Sequence, residues 1–240
     1  MGKAVFITGT GTDVGKTALS LAVLLWAKDQ GLRTAYYKPI QCGTFPFGDP
    51  PAPCGDADWI RAMAGESQAV HVTYKLRMAA SPHLAAEREA AAIDMALIRR
   101  ELDALGGAHD LLVVEGAGGA AVPVNRSGTS LASLAAGLSL PCLIASAPGL
   151  GTLHHTLTTC AYLESLGAPL AGFVFSHREA SVPETCADNR ATLQSLTGLP
   201  CFGELPFCRE LSMGGKAFQA RAASWYAPLA PALTAWWNRE

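Results

Sequence analysis

The chain has 240 residues, half of them apolar, with 18 basic against 20 acidic side chains and a formal net charge of −2. That suffices for one well-filled core, so a single domain over residues 1–240 is expected, and the near balance of charge excludes the basic footprint of a nucleic-acid binder. No apolar run is long enough to span a bilayer and the N-terminus lacks a signal-peptide pattern, so a cytoplasmic protein with neither nucleic acid nor membrane as partner is expected.

The first predicted element is the strand "AVFIT" (4–8). It runs into "GTGTDVGKT" (9–17), and a helix is predicted over 16–29. Glycines in such a turn let backbone N–H groups converge on an anion, and the helix start adds its own unpaired N–H groups and positive dipole end. Lys16 could reach terminal phosphates, and the Thr17 hydroxyl could ligate Mg²⁺. This is a P-loop with one extra residue: it reads G-x-x-x-x-x-G-K-T, with Thr10 where the first glycine usually stands.

The second strand, "TAYYK" (34–38), places Lys38 at its carboxyl edge, with Pro39 expected to stop it. Lys38 could serve the ligand site or be a solvated strand-end lysine. Cys42 follows. The Pro/Gly-rich run 43–56 is too long for a simple turn and reads as a lid or an ordered functional loop. Asp56 and Asp58 lie where this run enters a helix over 57–64 and either could cap it, or Asp56 could complete a metal shell. "ASPHLAA" (80–86) brings Ser81 and His83 to another helix start, where Ser81 could be a plain cap.

A helix over 94–105 leads to the strand "LLVVE" (111–115). Glu115 ends it ahead of "GAGG", where a second Mg²⁺ ligand belongs. Then follow a helix (129–138), the strand "CLIAS" (142–146), a helix (153–166), the strand "GFVFS" (172–176) and a helix (187–196). Cys142 reads as a small core residue. The seven cysteines are odd in number and form no C-x-x-C pair, which argues against a disulfide framework or a zinc site. From Ala217 to Trp237 a helix is expected, interrupted at Pro228 and Pro231, with the terminal tryptophans packing on the body or on a partner.

Short apolar strands alternating with helices predict an α/β domain: a three-layer P-loop NTPase fold with a mainly parallel central sheet flanked by helices. Ligands in such folds bind beyond the carboxyl ends of the strands.

"GTGTDVGKT", "YYKPIQCG", "SPH", "VVEGAGG" and "GLGTLHH" stand in the order and spacing of the dethiobiotin synthetase family, which the chain resembles to about Pro206. The resemblance implies an ATP-dependent carboxylase that takes 7,8-diaminopelargonic acid, CO₂ and ATP, with Mg²⁺, to dethiobiotin, ADP and phosphate. Lys16, Lys38 and Thr12 would be catalytic. Nucleotide would bind at Gly11, Asp13, Val14, Gly15, Lys16, Thr17, Glu115, Gly118 and Ser176, with Thr17, Asp56 and Glu115 as metal ligands. Substrate would meet Thr12, Lys38, Cys42, Ser81 and Gly118. The family is a homodimer with the substrate across the interface, so Gly151, Thr152, Leu153 and His154 would offer backbone N–H groups to its distant carboxylate from the partner subunit. The histidines of that segment could equally be surface residues. Cys42 resembles in position a family serine that can hydrogen-bond the substrate. Ser176 departs from the asparagine that reads the adenine edge in some members, which implies looser base recognition.

Three rivals fit less well. Partitioning or nitrogenase-type ATPases carry a lysine early in the P-loop, and residues 9–14 have none. A GTPase should show N-K-x-D after a strand. The cobalamin-type synthetases normally add a glutaminase domain. A non-catalytic nucleotide-binding relative remains an alternative.

Overall fold

The computed structural model describes residues 2–43, 55–178, 182–212 and 218–239. Most of the segment read as a lid or functional loop lies outside the described residues.

Among the described residues the sheet has seven strands, β1 (Lys3–Gly9), β2 (Thr34–Cys42), β3 (Ala69–Leu76), β4 (Leu111–Glu115), β5 (Cys142–Ser146), β6 (Leu170–Ser176) and β7 (Cys201–Leu205). Their order is β3-β2-β4-β1-β5-β6-β7, and every pairing is parallel. The chain builds outward to both sides of β1, so the carboxyl end of β1 is a topological switch point.

The sheet is covered on both faces. α1 (Lys16–Asp29), α2 (Asp56–Ala64), α8 (Ala222–Tyr226) and α9 (Ala230–Trp237) lie on one side. α3 (Pro82–Arg88), α4 (Met95–Ala108), α5 (Leu131–Gly137), α6 (Thr152–Ser165) and α7 (Pro183–Thr197) complete the helices named here. Strand residues alternate between the two cores: Val5, Ile7, Val113 and Leu143 pack with Leu19, Trp26 and Ile60, whereas Phe6, Leu112, Val114 and Ile144 pack with Ile98, Leu102 and Leu163. Central strands with apolar side chains on both faces are what the near-continuous runs predict. The result is the expected three-layer architecture.

Four expectations are corrected. The sequence pattern predicts five strands, but β3 and β7 are also present. Both are edge strands, and the polar residues mixed into "AVHVTYKL" and "CFGEL" mask them. Pro39 does not stop β2, which runs on to Cys42. β2 pairs with β4 only through Tyr37 and afterwards with β3 alone, so Pro39 stands where one edge is already open. Lys38 is therefore the fifth of nine residues in β2, not its last, but it sits just past the reach of β4. At the C-terminus a 3₁₀ turn over Ala227–Leu229 holds Pro228, while Pro231 fits within the first turn of α9 and does not interrupt it.

The terminal tryptophan packs on the body. The Trp237 ring meets Trp26 edge-on at 6.3 Å, Lys3 Nζ lies 4.9 Å from its centroid, and Trp26 Nε1 donates to Thr234 Oγ1 at 3.2 Å. Cys142 is fully buried, as its apolar neighbours imply.

Candidate active site

The turn between β1 and α1 is anchored at both ends. Thr10 N–H donates to the β5 carbonyl of Ala145 at 3.1 Å. Gly15, with φ of 94°, provides the left-handed entry to α1. A Cβ there would lie 2.2 Å from Ser176 Oγ, so only glycine fits. The extra P-loop residue is thus absorbed in a turn that still delivers Lys16 to the helix start.

The turn opens on a cleft of about 1050 Å³ at the carboxyl ends of the strands. Thr12, Asp13, Gly15, Lys16, Thr17, Lys38, Cys42, Asp56, Ser81, Gly118 and Ser176 line it, residues drawn from six separate stretches of sequence. Lys16 Nζ donates to Gly11 O at 2.7 Å. Burial lowers the Lys16 pKa, and the nearby Lys38 charge adds to the effect.

Behind the cleft a charged network ties α1, α2, β2 and β4 together. Lys38 Nζ lies 2.6 Å from Glu115 Oε1 and 2.7 Å from Asp56 Oδ2, and it also donates to Gly116 O at 3.1 Å. Thr17 Oγ1 reaches Asp56 Oδ1 at 3.1 Å and Glu115 Oε1 at 3.0 Å. Burial opposes the Lys38 charge, but Glu115 and Asp56 outweigh it and raise its pKa. For Asp56 burial works upward, yet Lys38 prevails and the carboxyl is held below the ordinary aspartate range. Cys42 lines the same wall; burial pushes its thiol up to about 11, so it is neutral near pH 7.

The cap reading of Asp56 does not hold, and that of Ser81 holds for its position alone, at the N-cap of α3 with Pro82 next. Asp56 is the first residue of α2 and turns its carboxylate to Thr17 and Lys38, while the N-cap is Gly55. Ser81 makes no side-chain cap bond and faces the cleft. Asp58 pairs instead with Arg61, at 3.1 Å.

The α6 segment is not brought to this cleft. Thr152 is buried, its hydroxyl 2.8 Å from that of Ser146. Leu153 packs on the core, and the His154 ring is exposed against His155 at 5.5 Å. Gly11 and Val14 belong to the P-loop without lining the cleft, and Glu115 lies wholly behind it.

Sequence reasoning missed two residues that hold Glu115. Ser20 Oγ donates to Glu115 Oε2 at 2.6 Å, and Tyr36 Oη to the same oxygen at 3.0 Å. Burial and the adjacent Glu115 raise the Tyr36 pKa well above its usual value, so it stays a donor. Periodicity puts both on the face of a site residue but does not mark them as donors to Glu115. Tyr36 is two residues before Lys38 on one strand face, and Ser20 is three after Thr17 on one helix face. Trp59, Phe207 and Leu211 also line the cleft and carried no motif signal.

Thr17, Asp56 and Glu115 fit a magnesium ion, which takes one or two carboxylates and completes its shell with phosphate and water. Among the described residues no group of three or more His, Cys, Asp or Glu forms a dedicated metal cage.

Amides at a helix start, a lysine and a metal-competent hydroxyl converging beside a strand-end carboxylate constitute triphosphate-binding chemistry, and by class the chain is a P-loop NTPase. A family model described as an AAA domain matches residues 3–213. ATP-dependent dethiobiotin synthetase BioD of Geobacillus sp. is 35% identical over 209 residues, covering 86% of this chain and 85% of that one. The protein of the same name from Frankia casuarinae is 36% identical over 204 residues, with 85% and 83% covered. The chain belongs to the dethiobiotin synthetase family. Among solved structures, the Pyrococcus furiosus cell division ATPase MinD superposes with a TM-score of 0.59 at 15% identity, covering 98% of this chain and 99% of that one. The Aquifex aeolicus MinC:MinD cell division complex gives 0.63 at 10% identity, with 100% and 97% covered. These two likenesses concern the fold alone.

Proposed function

We propose that the chain is a cytoplasmic, single-domain dethiobiotin synthetase that carboxylates 7,8-diaminopelargonic acid with CO₂ and closes the ureido ring at the expense of ATP, with Mg²⁺. The observation that carries the reading is the convergence of Lys16 and Lys38 on one cleft, beside Thr17, Asp56 and Glu115.

In this reading one substrate amine attacks CO₂, forming an N–C bond and losing a proton to give a carbamate. A carbamate oxygen then attacks the γ-phosphorus and ADP leaves. The second amine attacks the carbamoyl carbon, phosphate departs and the ring closes. Carbamate and triphosphate are both anionic, so cations must bring them together. Lys16 steadies the phosphates from the P-loop side and Lys38 the carbamate from β2, and positioning supplies much of the remaining rate. A magnesium ion held by Thr17, Asp56 and Glu115 would supply charge neutralisation on the phosphates. Gly11, Asp13, Val14 and Gly15 would present the P-loop backbone to them. Thr12, Cys42, Ser81 and Gly118 would contact the substrate. Residues 9–14 contain no lysine, which disfavours a partitioning-type switch.

The decisive assay supplies diaminopelargonate, bicarbonate and Mg²⁺ with ATP, GTP or CTP and measures dethiobiotin and phosphate. Equal amounts of both products, dependent on the diamine, are expected. Phosphate release indifferent to the diamine would remove the synthetase reading. Ser176 has a shorter reach than a carboxamide, so GTP or CTP should support a sizeable fraction of the ATP rate. A strict ATP requirement would refute that assignment.

A further inference from the structure

The oxygens assigned to magnesium are already bonded to a cation of the chain's own. Glu115 Oε2 is taken by the buried hydroxyls of Ser20 and Tyr36, at 2.6 and 3.0 Å. That fixes the carboxylate and leaves Oε1 as its cleft-side atom. Oε1 carries Lys38 Nζ at 2.6 Å and the Thr17 hydroxyl at 3.0 Å. Asp56 shows the same division: Oδ1 bonds Thr17 at 3.1 Å and Oδ2 bonds Lys38 at 2.7 Å.

The Thr17 hydroxyl need not leave for a metal to enter, because it can rotate from donating a proton to offering a lone pair. Lys38 has no such option. An ammonium has three donors and no acceptor, and two cations sharing the same oxygens would stand a few ångströms apart in a poorly solvated place, where repulsion is strong.

We propose that Lys38 is a built-in competitor of the divalent cation. Ammonium and metal contend for Glu115 Oε1 and Asp56 Oδ2, and arrival of the metal with its nucleotide drives Lys38 off the pair toward the substrate side of the cleft. The inference rests on the metal ligands assigned under the proposed function. It makes binding ordered: Lys38 is free to meet a carbamate only once metal and nucleotide are in place. It also explains how Glu115 can be wholly buried without an uncompensated charge. The long lysine stem is suited to the exchange, since Nζ can swing while its Cα stays in the β2 ladder.

The test uses Mn²⁺ alone as probe, without nucleotide, with binding read by electron paramagnetic resonance. Lys38→Met removes the competing charge at similar length, and Lys38→Arg keeps it. Lys38→Met should bind Mn²⁺ about tenfold or more tighter than the unsubstituted protein, and Lys38→Arg should not. Equal or weaker binding by a folded Lys38→Met protein would overturn the proposal. Should that variant fail to fold, the unsubstituted protein decides, with isotope-labelled lysine ε-carbons followed by nuclear magnetic resonance. The Lys38 signal should shift with Mg²⁺ and ADP together, and not with ADP plus a chelator. A Lys38 signal unmoved by Mg²⁺ and ADP overturns it equally. Neither measurement contains the diamine, so a failed product assay beside tightened Mn²⁺ binding would end the synthetase reading and leave this one standing.

Discussion

Lys16 and Lys38 face one cleft, but their surroundings assign them different work. Lys16 starts α1 and leans on the Gly11 carbonyl, a neutral partner it can exchange for phosphate oxygen. Lys38 is clamped by two carboxylates and stands on a strand, away from the amides of the P-loop. Replacing Lys16 by Ala should weaken nucleotide binding and lower kcat by about 10²–10³, the usual scale for loss of one charge-stabilising group, with the circular dichroism spectrum unchanged. Lys38→Ala should lower kcat to a similar degree while calorimetry in the presence of a chelator finds the affinity for metal-free nucleotide little changed. If Lys38→Ala instead turned over normally at saturation but bound nucleotide poorly, the two roles would have to be exchanged. These ligand-facing residues were legible in the sequence because each carries its chemistry in its type and lies on or just after a recognisable strand. Ser20 and Tyr36 were not, because a serine in a helix and a tyrosine in a strand read as ordinary packing until Glu115 is seen beside them.

The element that places Asp56 is α2, and the chain fixes its start from β2. Gln41, buried in the strand, accepts the Ala57 N–H at Oε1 over 3.0 Å, answering one of the amide groups that a helix start leaves unpaired. Gly55 closes the joint: its φ is 127°, and a Cβ would lie 2.1 Å from Gln41 Nε2. Gln41→Leu should therefore cost about 1–3 kcal/mol in urea unfolding, the penalty for a buried unpaired donor. Gly55→Ala should be destabilising as well, and both should weaken metal-dependent nucleotide binding by displacing Asp56. A Gln41→Leu protein of unaltered stability would show that α2 is positioned by packing alone. Here the sequence was half readable. The α1 boundaries at 16 and 29 agree with expectation because the P-loop marks one end and the polar "KDQG" the other. The extent of β2 was missed because proline is a stop signal only where both edges are paired, and pairing is a property of the sheet. β3 and β7 escaped for a related reason: an edge strand tolerates polar residues, so its pattern resembles loop.

At the scale of the whole molecule, the family motifs fall into two places. Those of the P-loop, β2, α3 and β4 meet in the cleft, while "GLGTLHH" opens α6 outside it. A motif set of one enzyme family split in this way is accounted for if the site is completed by a second copy, with the α6 amides of one subunit facing the substrate carboxylate held in the other. Leu150, fully exposed just before Gly151, suits a position that a partner covers. The arrangement can be tested by complementation. His154→Glu, at an exposed position in the first turn of α6, should leave the fold intact and would set a carboxylate against the substrate's own. It should raise the diamine KM strongly, while Lys38→Ala silences the chemistry. Each variant alone should be inactive at low diamine. Mixed in equal amounts and allowed to exchange subunits, they should recover about a quarter of the unsubstituted rate, because half the dimers are mixed and each of those has one intact site. If α6 served the cleft of its own chain, every site would carry one lesion and mixing would restore nothing.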